Sequence, residues 1–220
     1  MALEIDHLVW ACPDLASGVA KIKELFNVAP AIGGAHPAIG TRNALLSLGP
    51  EIYLEIIAPD VGKLRPDSPG DRLRGLSEPG LMTWVSRSSR LEDLAALVHE
   101  ADAAFVPIGP IKTQRETVSL EILNWELLFV TQHKFGGLMP FFIDWKEAEH
   151  PSVSAPLGGK FRNLRLCSPD APDLNLALQS LKSEMTVEHC HNAAIELEVA
   201  APSGKVTLSS TPETLQLSLI

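Results

Sequence analysis

Three polar residues interrupt apolar, strand-like runs in this sequence. His7 stands among Ile5, Leu8 and Val9, Glu55 within Tyr53–Ile57, and Asp144 within Phe141–Trp145. An ionised carboxylate among such neighbours is costly unless it is paired or metal-bound. One imidazole and two carboxylates suit Fe(II), Mn(II), Zn(II), Ni(II) or Co(II). The competing reading puts each residue at a strand end in water. His189 and His191 share a strand face at i, i+2, a zinc-capable spacing with no evident partner pair. His150 follows Asp144 closely enough to approach the same site, with exposure as the favoured alternative. G-x-S-x-G, phosphate-loop, G-x-G-x-x-G and H-E-x-x-H motifs are absent.

The elements that would position these residues repeat one theme. Leu3–Trp10 alternates as a half-buried strand, Asp14 can cap the next helix, and Leu15, Val19, Ile22 and Phe26 form its stripe. The theme returns at Leu81–Ser86, followed by a Ser89/Glu92 capping box and a stripe of Leu91, Leu94, Leu97 and Val98. It returns again at Leu164–Asp170, where Asp173 would cap a helix bearing Leu174, Leu178 and Leu181. The recurrence, roughly every 75 to 80 residues, asks for a repeated unit.

Strands follow each helix: Arg42–Leu48 and Ile52–Ile57; Val118–Val130 and Met139–Trp145; Met185–His191, Ala194–Val199 and Val206–Ser209. Each unit reads β-α-β-β-β. The expected organisation is a first unit over 1–60, a connector over 61–79, a second unit over 80–150, and a partial third βαββ unit over 157–211. Short links favour antiparallel strands with a helix on one face, an α+β arrangement. Two such sheets side by side can curl into a cup, and the open face must find other cover.

Composition narrows the class. The 220 residues carry 18 Lys+Arg against 27 Asp+Glu, a formal charge of −9. That balance argues against a nucleic-acid partner, which would need clustered cations. The sequence offers neither a signal peptide nor a membrane span. Cys12, Cys167 and Cys190 are odd in number and far apart, and read as buried reduced thiols in a cytoplasmic protein.

The strings Ile5–Val9, His36–Asn43 and Tyr53–Asp60, followed by Gly80–Trp84 and Pro140–Trp145, resemble the glyoxalase-like domain family of the vicinal-oxygen-chelate superfamily. The resemblance spans roughly residues 3 to 210. It implies a mixed or antiparallel cup of paired βαβββ units, helices outside, with one divalent metal ion held by His7, Glu55 and Asp144. The first strand of the second unit often supplies a further ligand there; Trp84 stands at that position and cannot ligate. The resemblance also makes His36 a cup-mouth residue able to bind substrate or to act as an acid or base, with Glu55 as the other catalytic candidate; the alternative is a turn histidine bonded to backbone. Asn43 shares a strand face with Thr41, Leu45 and Ser47, which would point it into the cup.

Two functions are therefore expected. One is a small-molecule enzyme of isomerase, lyase or dioxygenase type, its metal polarising a chelated substrate. The other is a metal-free binding protein whose cup is lined by Tyr53, Trp84, Phe142 and Trp145. Both take a small molecule as partner, and edge strands of the third unit could pair two copies into a homodimer.

Overall fold

The structure is a computed structural model that describes residues 3–116 and 122–220. Its first unit runs β1 (Glu4–Ala11), α1 (Leu15–Phe26), β2 (Ala31–His36), β3 (Thr41–Gly49) and β4 (Ile52–Pro59). A short helix, α2 (Pro69–Arg74), lies in the connector. The second unit runs β5 (Gly80–Arg87), α3 (Leu91–Ala101), β6 (Val106–Glu116), β7 (Ile122–Thr131) and β8 (Phe141–Asp144). The C-terminal part holds β9 (Lys160–Ser168), α4 (Ala171–Ser180), β10 (Val187–His189), β11 (Ala194–Ala201) and β12 (Gly204–Ser209). The strand expected from Val118 begins outside the described residues. Two strands escape the alternation signal: β2, in a Gly-rich stretch, and β6, interrupted by Pro107 and Gly109-Pro110.

One eight-stranded sheet has the order β2-β3-β4-β1-β5-β8-β7-β6. In each half the first strand pairs in parallel with its own last strand, β1 with β4 and β5 with β8. The halves join through the antiparallel β1–β5 pair. The sheet curls until its edge strands β2 and β6 come within 8 Å, Cα to Cα. This is the expected α+β cup. A second sheet, β10-β9-β11-β12, departs from that order because the short β10 joins the outer side of β9.

Asp14 caps α1 as expected, accepting a hydrogen bond from the Ser17 amide at 2.8 Å. The other two caps shift. At α3 the N-cap is Arg90 and makes no side-chain cap bond, while Ser88 Oγ accepts from the Arg90 amide. At α4 the N-cap is Asp170; Asp173 sits inside the first turn and shares Lys134 with it.

The convex face of the large sheet, the three long helices and the second sheet share one apolar core. Leu8, Trp10, Leu54 and Ile56 meet Ile22, Phe26, Leu94 and Leu174 there, with Leu164, Ile195 and Leu197 from the second sheet. The concave face has its own cluster of Val9, Ala11, Ile57, Val85, Phe129, Phe141 and Ile143. Its cover comes from two unexpected sources. Leu73 and Leu76, in and just after α2, close part of it, and Leu217 and Leu219 of the C-terminal segment close another.

One cysteine expectation is corrected. Cys167 and Cys190 form a disulfide, because the parallel pairing of Glu188 with Cys167 carries Cys190 to a Cα–Cα distance of 5.7 Å. Cys12 remains a free, buried thiol whose pKa burial pushes up to about 12. No helix among the described residues is long and apolar enough to cross a membrane.

Candidate active site

The centre of the concave face is built on β1 and β4. Parallel register sets His7 beside Tyr53 and Val9 beside Glu55, so His7, Tyr53 and Glu55 share the face opposite Leu8, Leu54 and Ile56. The β1–β5 register slips between Ile5 and His7, a bulge that leaves Asp6 as the extra residue. A bulge re-aims a side chain, and here it turns Asp6 onto the His7 side instead of the convex core.

Asp6 is fully buried and is the hub of the site. Its Oδ1 accepts from His7 Nδ1 at 2.6 Å. Its Oδ2 accepts from Trp145 Nε1 at 3.0 Å and from His150 Nε2 at 3.2 Å. Arg87 Nη1 stands 3.9 Å from the same oxygen. Burial by itself would raise the Asp6 pKa. The hydrogen bonds and charges of His150 and His7 outweigh it and hold the carboxyl well below its ordinary value.

His7 and Glu55 are 3% and 8% exposed. Tyr53 stacks on the His7 ring with centroids 4.5 Å apart, and Phe141 meets it edge-on at 6.0 Å. With Nδ1 committed to Asp6, Nε2 faces Glu55 Oε2 at 3.7 Å. The other Glu55 oxygen accepts from Asn43 Nδ2 at 2.6 Å. The amide orientation of Asn43 is fixed in turn, since its Oδ1 accepts from the Gly34 amide at 2.9 Å. His150 is also held: Ser152 Oγ and the Ser152 amide both donate to its Nδ1.

The structure thus brings His7, Asn43, Tyr53, Glu55 and Trp145 to one face. His36 lies at the end of β2, its Nδ1 3.1 Å from Thr41 Oγ1, two positions along β3 from Asn43. Three expected residues go elsewhere. Asp144 alternates with Phe141 and Ile143, points to the convex side with Phe142, and is engaged by Lys146 Nζ at 2.8 Å. Lys146 also binds Glu126, and the two carboxylates raise its pKa. Phe142 is wholly within the helix-side core. So is Trp84, whose Nε1 donates to the Leu138 carbonyl at 2.9 Å. A register slip between Val9 and Trp10 leaves Thr83 and Val85 as the β5 residues beside Val9 and His7. Neither the binding role of Trp84 and Phe142 nor a metal role for Asp144 fits these positions.

Asp6 is absent from the sequence-based candidates, and His150, for which exposure was the favoured expectation, turns inward instead. Asp6 directly precedes the singled-out histidine, but strict alternation assigns it to the opposite face, and only the bulge reverses that. His189 and His191 are exposed, beyond the large sheet.

The sequence model of the glyoxalase-like domain matches residues 5–182, most of the chain. The chain belongs to the glyoxalase-like domain family. The match takes in both halves of the large sheet and ends after α4. No curated protein matches the chain. Among solved structures, a hypothetical protein from Staphylococcus aureus aligns at a TM-score of 0.63 and 15% identity, covering 88% of each chain. Methylmalonyl-CoA epimerase from Mycobacterium tuberculosis aligns at 0.48 and 16%, covering 68% of this chain and 90% of that one. A Streptomyces coelicolor methylmalonyl-CoA epimerase variant with 2-nitronate-propionyl-CoA aligns at 0.49 and 19%, covering 69% and 100%. At such identities the likeness is one of fold.

The metal implied by this family can be tested against the donors. His7 Nε2 and one Glu55 oxygen face a common point, and Asp6 backs His7 as a carboxylate does behind a metal-bound histidine. Among the described residues no further donor joins them: Asp144 is on the other face, β5 offers Thr83 and Val85, and His150 Nε2 is spent on Asp6. A catalytic centre takes three protein ligands and a structural one four. Two donors do not fit a resident ion.

Proposed function

We propose that this glyoxalase-like domain is a small-molecule enzyme that moves a proton at a carbon or oxygen next to a carbonyl, with His7 and Glu55 as its acid–base pair. One observation carries the reading. Asp6 takes the proton side of His7 Nδ1, so the Nε2 lone pair faces a carboxylate oxygen 3.7 Å away inside an apolar cup. Two lone pairs facing each other in low dielectric repel unless a proton lies between them. An imidazole nitrogen and a carboxylate oxygen aimed at one point are equipped to pass a proton to and from a substrate atom placed beside them.

The surrounding residues have defined parts. Asp6 orients the imidazole through its bond to Nδ1. Asn43 holds Glu55 in place by donating to the oxygen that His7 does not face. Tyr53 and Phe141 fix the ring plane and keep water out. This makes isomerisation the best-supported member of the expected classes, and none of these steps passes through a metal. The competing reading is a sequestering protein using the same cup, supported by the aromatic packing of Tyr53 on His7.

The test is deuterium wash-in from D2O into a panel of small 2-hydroxy ketones and 2-oxo acids, read by proton NMR. Wild type is expected to label the carbon next to the carbonyl of at least one compound class. His7→Ala and Glu55→Gln are expected to slow labelling about 10²–10⁴-fold. Saturable binding without labelling would favour the sequestering protein.

A further inference from the structure

The loop after β8 carries His150, and its own sequence sets its shape. Pro151 stands second in a turn that the Val153 amide closes onto the His150 carbonyl at 3.0 Å, a position that proline's fixed φ suits. The turn brings Ser152 within reach of the His150 ring. The loop is then fastened to β3. The Ser47 amide donates to the Pro156 carbonyl and the Gly158 amide to the Ser47 carbonyl, both at 2.8 Å.

The hydrogen bonds that run inward from this loop have one polarity. The Glu51 amide donates to Ser152 Oγ at 3.0 Å, which leaves the hydroxyl proton for His150 Nδ1, 2.8 Å away. The Ser152 amide donates to the same nitrogen at 3.2 Å. An amide N–H can only donate, so Nδ1 is the lone-pair nitrogen and Nε2 carries the proton of the neutral ring. That proton goes to Asp6 Oδ2 at 3.2 Å. Ionised Asp6 can only accept, and its Oδ1 takes the proton on His7 Nδ1. On the far side the Gly34 amide donates to Asn43, and Asn43 to Glu55. Between the Glu51 and Gly34 amides each donor and acceptor of this chain is assigned, except where His7 Nε2 faces Glu55 Oε2.

We propose that His150 is a positioning residue for the His7–Glu55 pair: acting through Asp6, it holds the proton on His7 Nδ1 and so keeps Nε2 as the working nitrogen. Its catalytic consequence rests on the acid–base reading of that pair; the tautomer rests on the chain alone. Asp6 has no exposure, so a donor lost at Oδ2 leaves a buried lone pair unpaired. Trp145 Nε1 stays on that oxygen, while Arg87, 3.9 Å from it, is committed to Glu4 and Glu51 at 2.7 and 3.2 Å. A buried carboxylate with fewer donors draws protons more strongly. The proton within reach is the one on His7 Nδ1, 2.6 Å away. When it passes to Asp6, the ring takes a proton from solvent or Glu55 on Nε2, and presents a donor where the pair needs a lone pair.

Nitrogen-15 NMR of the full chain with labelled histidine reads the tautomer without any turnover, and the deuterium wash-in panel reads its consequence. His150→Phe keeps a ring against Tyr53 and Trp145 but no donor. His150→Asn sets its amide nitrogen where Nδ1 stands, short of Asp6, whereas His150→Gln sets it where Nε2 stands. In wild type His7 Nδ1 is expected to be the protonated nitrogen. His150→Phe and His150→Asn should move a measurable share of that proton to Nε2. They should also lower the kcat of labelling about tenfold, with KM within about twofold. His150→Gln should restore most of both, and His150→Asn carries the test if His150→Phe does not fold. A His7 tautomer unchanged in the folded loss variants overturns the proposal, whatever labelling does. So does labelling that falls equally in His150→Gln, because the lost donor is then not the cause. A tautomer that shifts as expected in a protein whose wild type labels nothing upholds the positioning role and overturns the acid–base reading instead.

Discussion

Asp6 is an ionised carboxyl with no exposure, kept charged by three donors, two of them imidazoles. Replacing it by Asn leaves at least one of those donors facing a poorer acceptor. Asp6→Asn is expected to cost about 3 kcal/mol in chemical denaturation at neutral pH. The pH dependence has a definite sign. The folded pKa lies below the ordinary value of about 3.9, so the Asp6 contribution is complete above that value. It is lost as pH falls through the folded value, and Asp6→Asn should lack that part of the acid slope. An equal acid slope in both proteins would show that Asp6 is not ionised in the native state. Glu55 is expected to behave otherwise. Glu55→Gln keeps an oxygen for Asn43, so stability should shift by no more than about 1 kcal/mol. With only two donors converging among the described residues, Mn(II) or Ni(II) should leave both melting temperatures unchanged. A metal-induced rise in wild type that the Gln variant loses would restore a bound ion. His7, Tyr53, Glu55 and Asn43 were legible from alternation because β1 pairs with β4, and β4 with β3, without a slip across these positions. Asp144, Trp84 and Phe142 were misplaced by one position, and a one-residue slip exchanges the faces of a strand.

Both bulges in β1–β5 are what single-sequence periodicity misses, and they decide which residues of the two central strands face the cup. The helices were easier to read. The stripes of α1 and α3 carry Leu15, Ile22 and Phe26, and Leu91, Leu94 and Val98, all buried as their spacing requires. The caps of α3 and α4 were less secure, since Arg90 and Asp170 take the N-cap positions that the motifs assigned to Ser89 and Asp173. Close backbone approaches leave still less trace in sequence. The turn after β7 is pressed so firmly onto β5 that a Cβ on Gly137 would lie 1.7 Å from the Met82 carbonyl oxygen. Neither backbone can retreat without disturbing the central β1–β5 pairing or the seat of Leu215. Gly137→Ala is therefore expected to destabilise by more than about 2 kcal/mol, with wild-type secondary structure retained in whatever fraction folds. A neutral substitution, read by urea denaturation, would mean that the 136–138 turn is not held against Met82.

At the scale of the molecule, the α+β cup followed from repetition, but the way the repeats cover one another did not. The sequence places α2 in a mere connector and ends the third unit near residue 211. In the structure both flanking segments return to the concave face, Leu73 and Leu76 from one side and Leu217 and Leu219 from the other. Cysteine parity misled for a related reason: it counts residues, whereas the β9–β10 pairing decides which two meet. The C-terminal part is joined to the cup through shared apolar surface on the helix side. Gly80 packs against the Ser209 carbonyl, Lys134 bridges to Asp170 and Asp173, and Leu166, Leu174 and Leu197 complete the core begun by Leu8 and Trp84. Removing residues 157–220 would lay that convex core open to water and strip Leu217 and Leu219 from the concave one. Large apolar areas exposed at roughly 25 cal/mol per Å² readily exceed a net stability of about 5–15 kcal/mol. A chain ending at residue 156 is therefore expected not to fold cooperatively. Its amide proton spectrum should be collapsed, and its thermal melt should lack a transition. A dispersed spectrum with a sharp melt would instead make the paired units self-sufficient and the C-terminal part an added module.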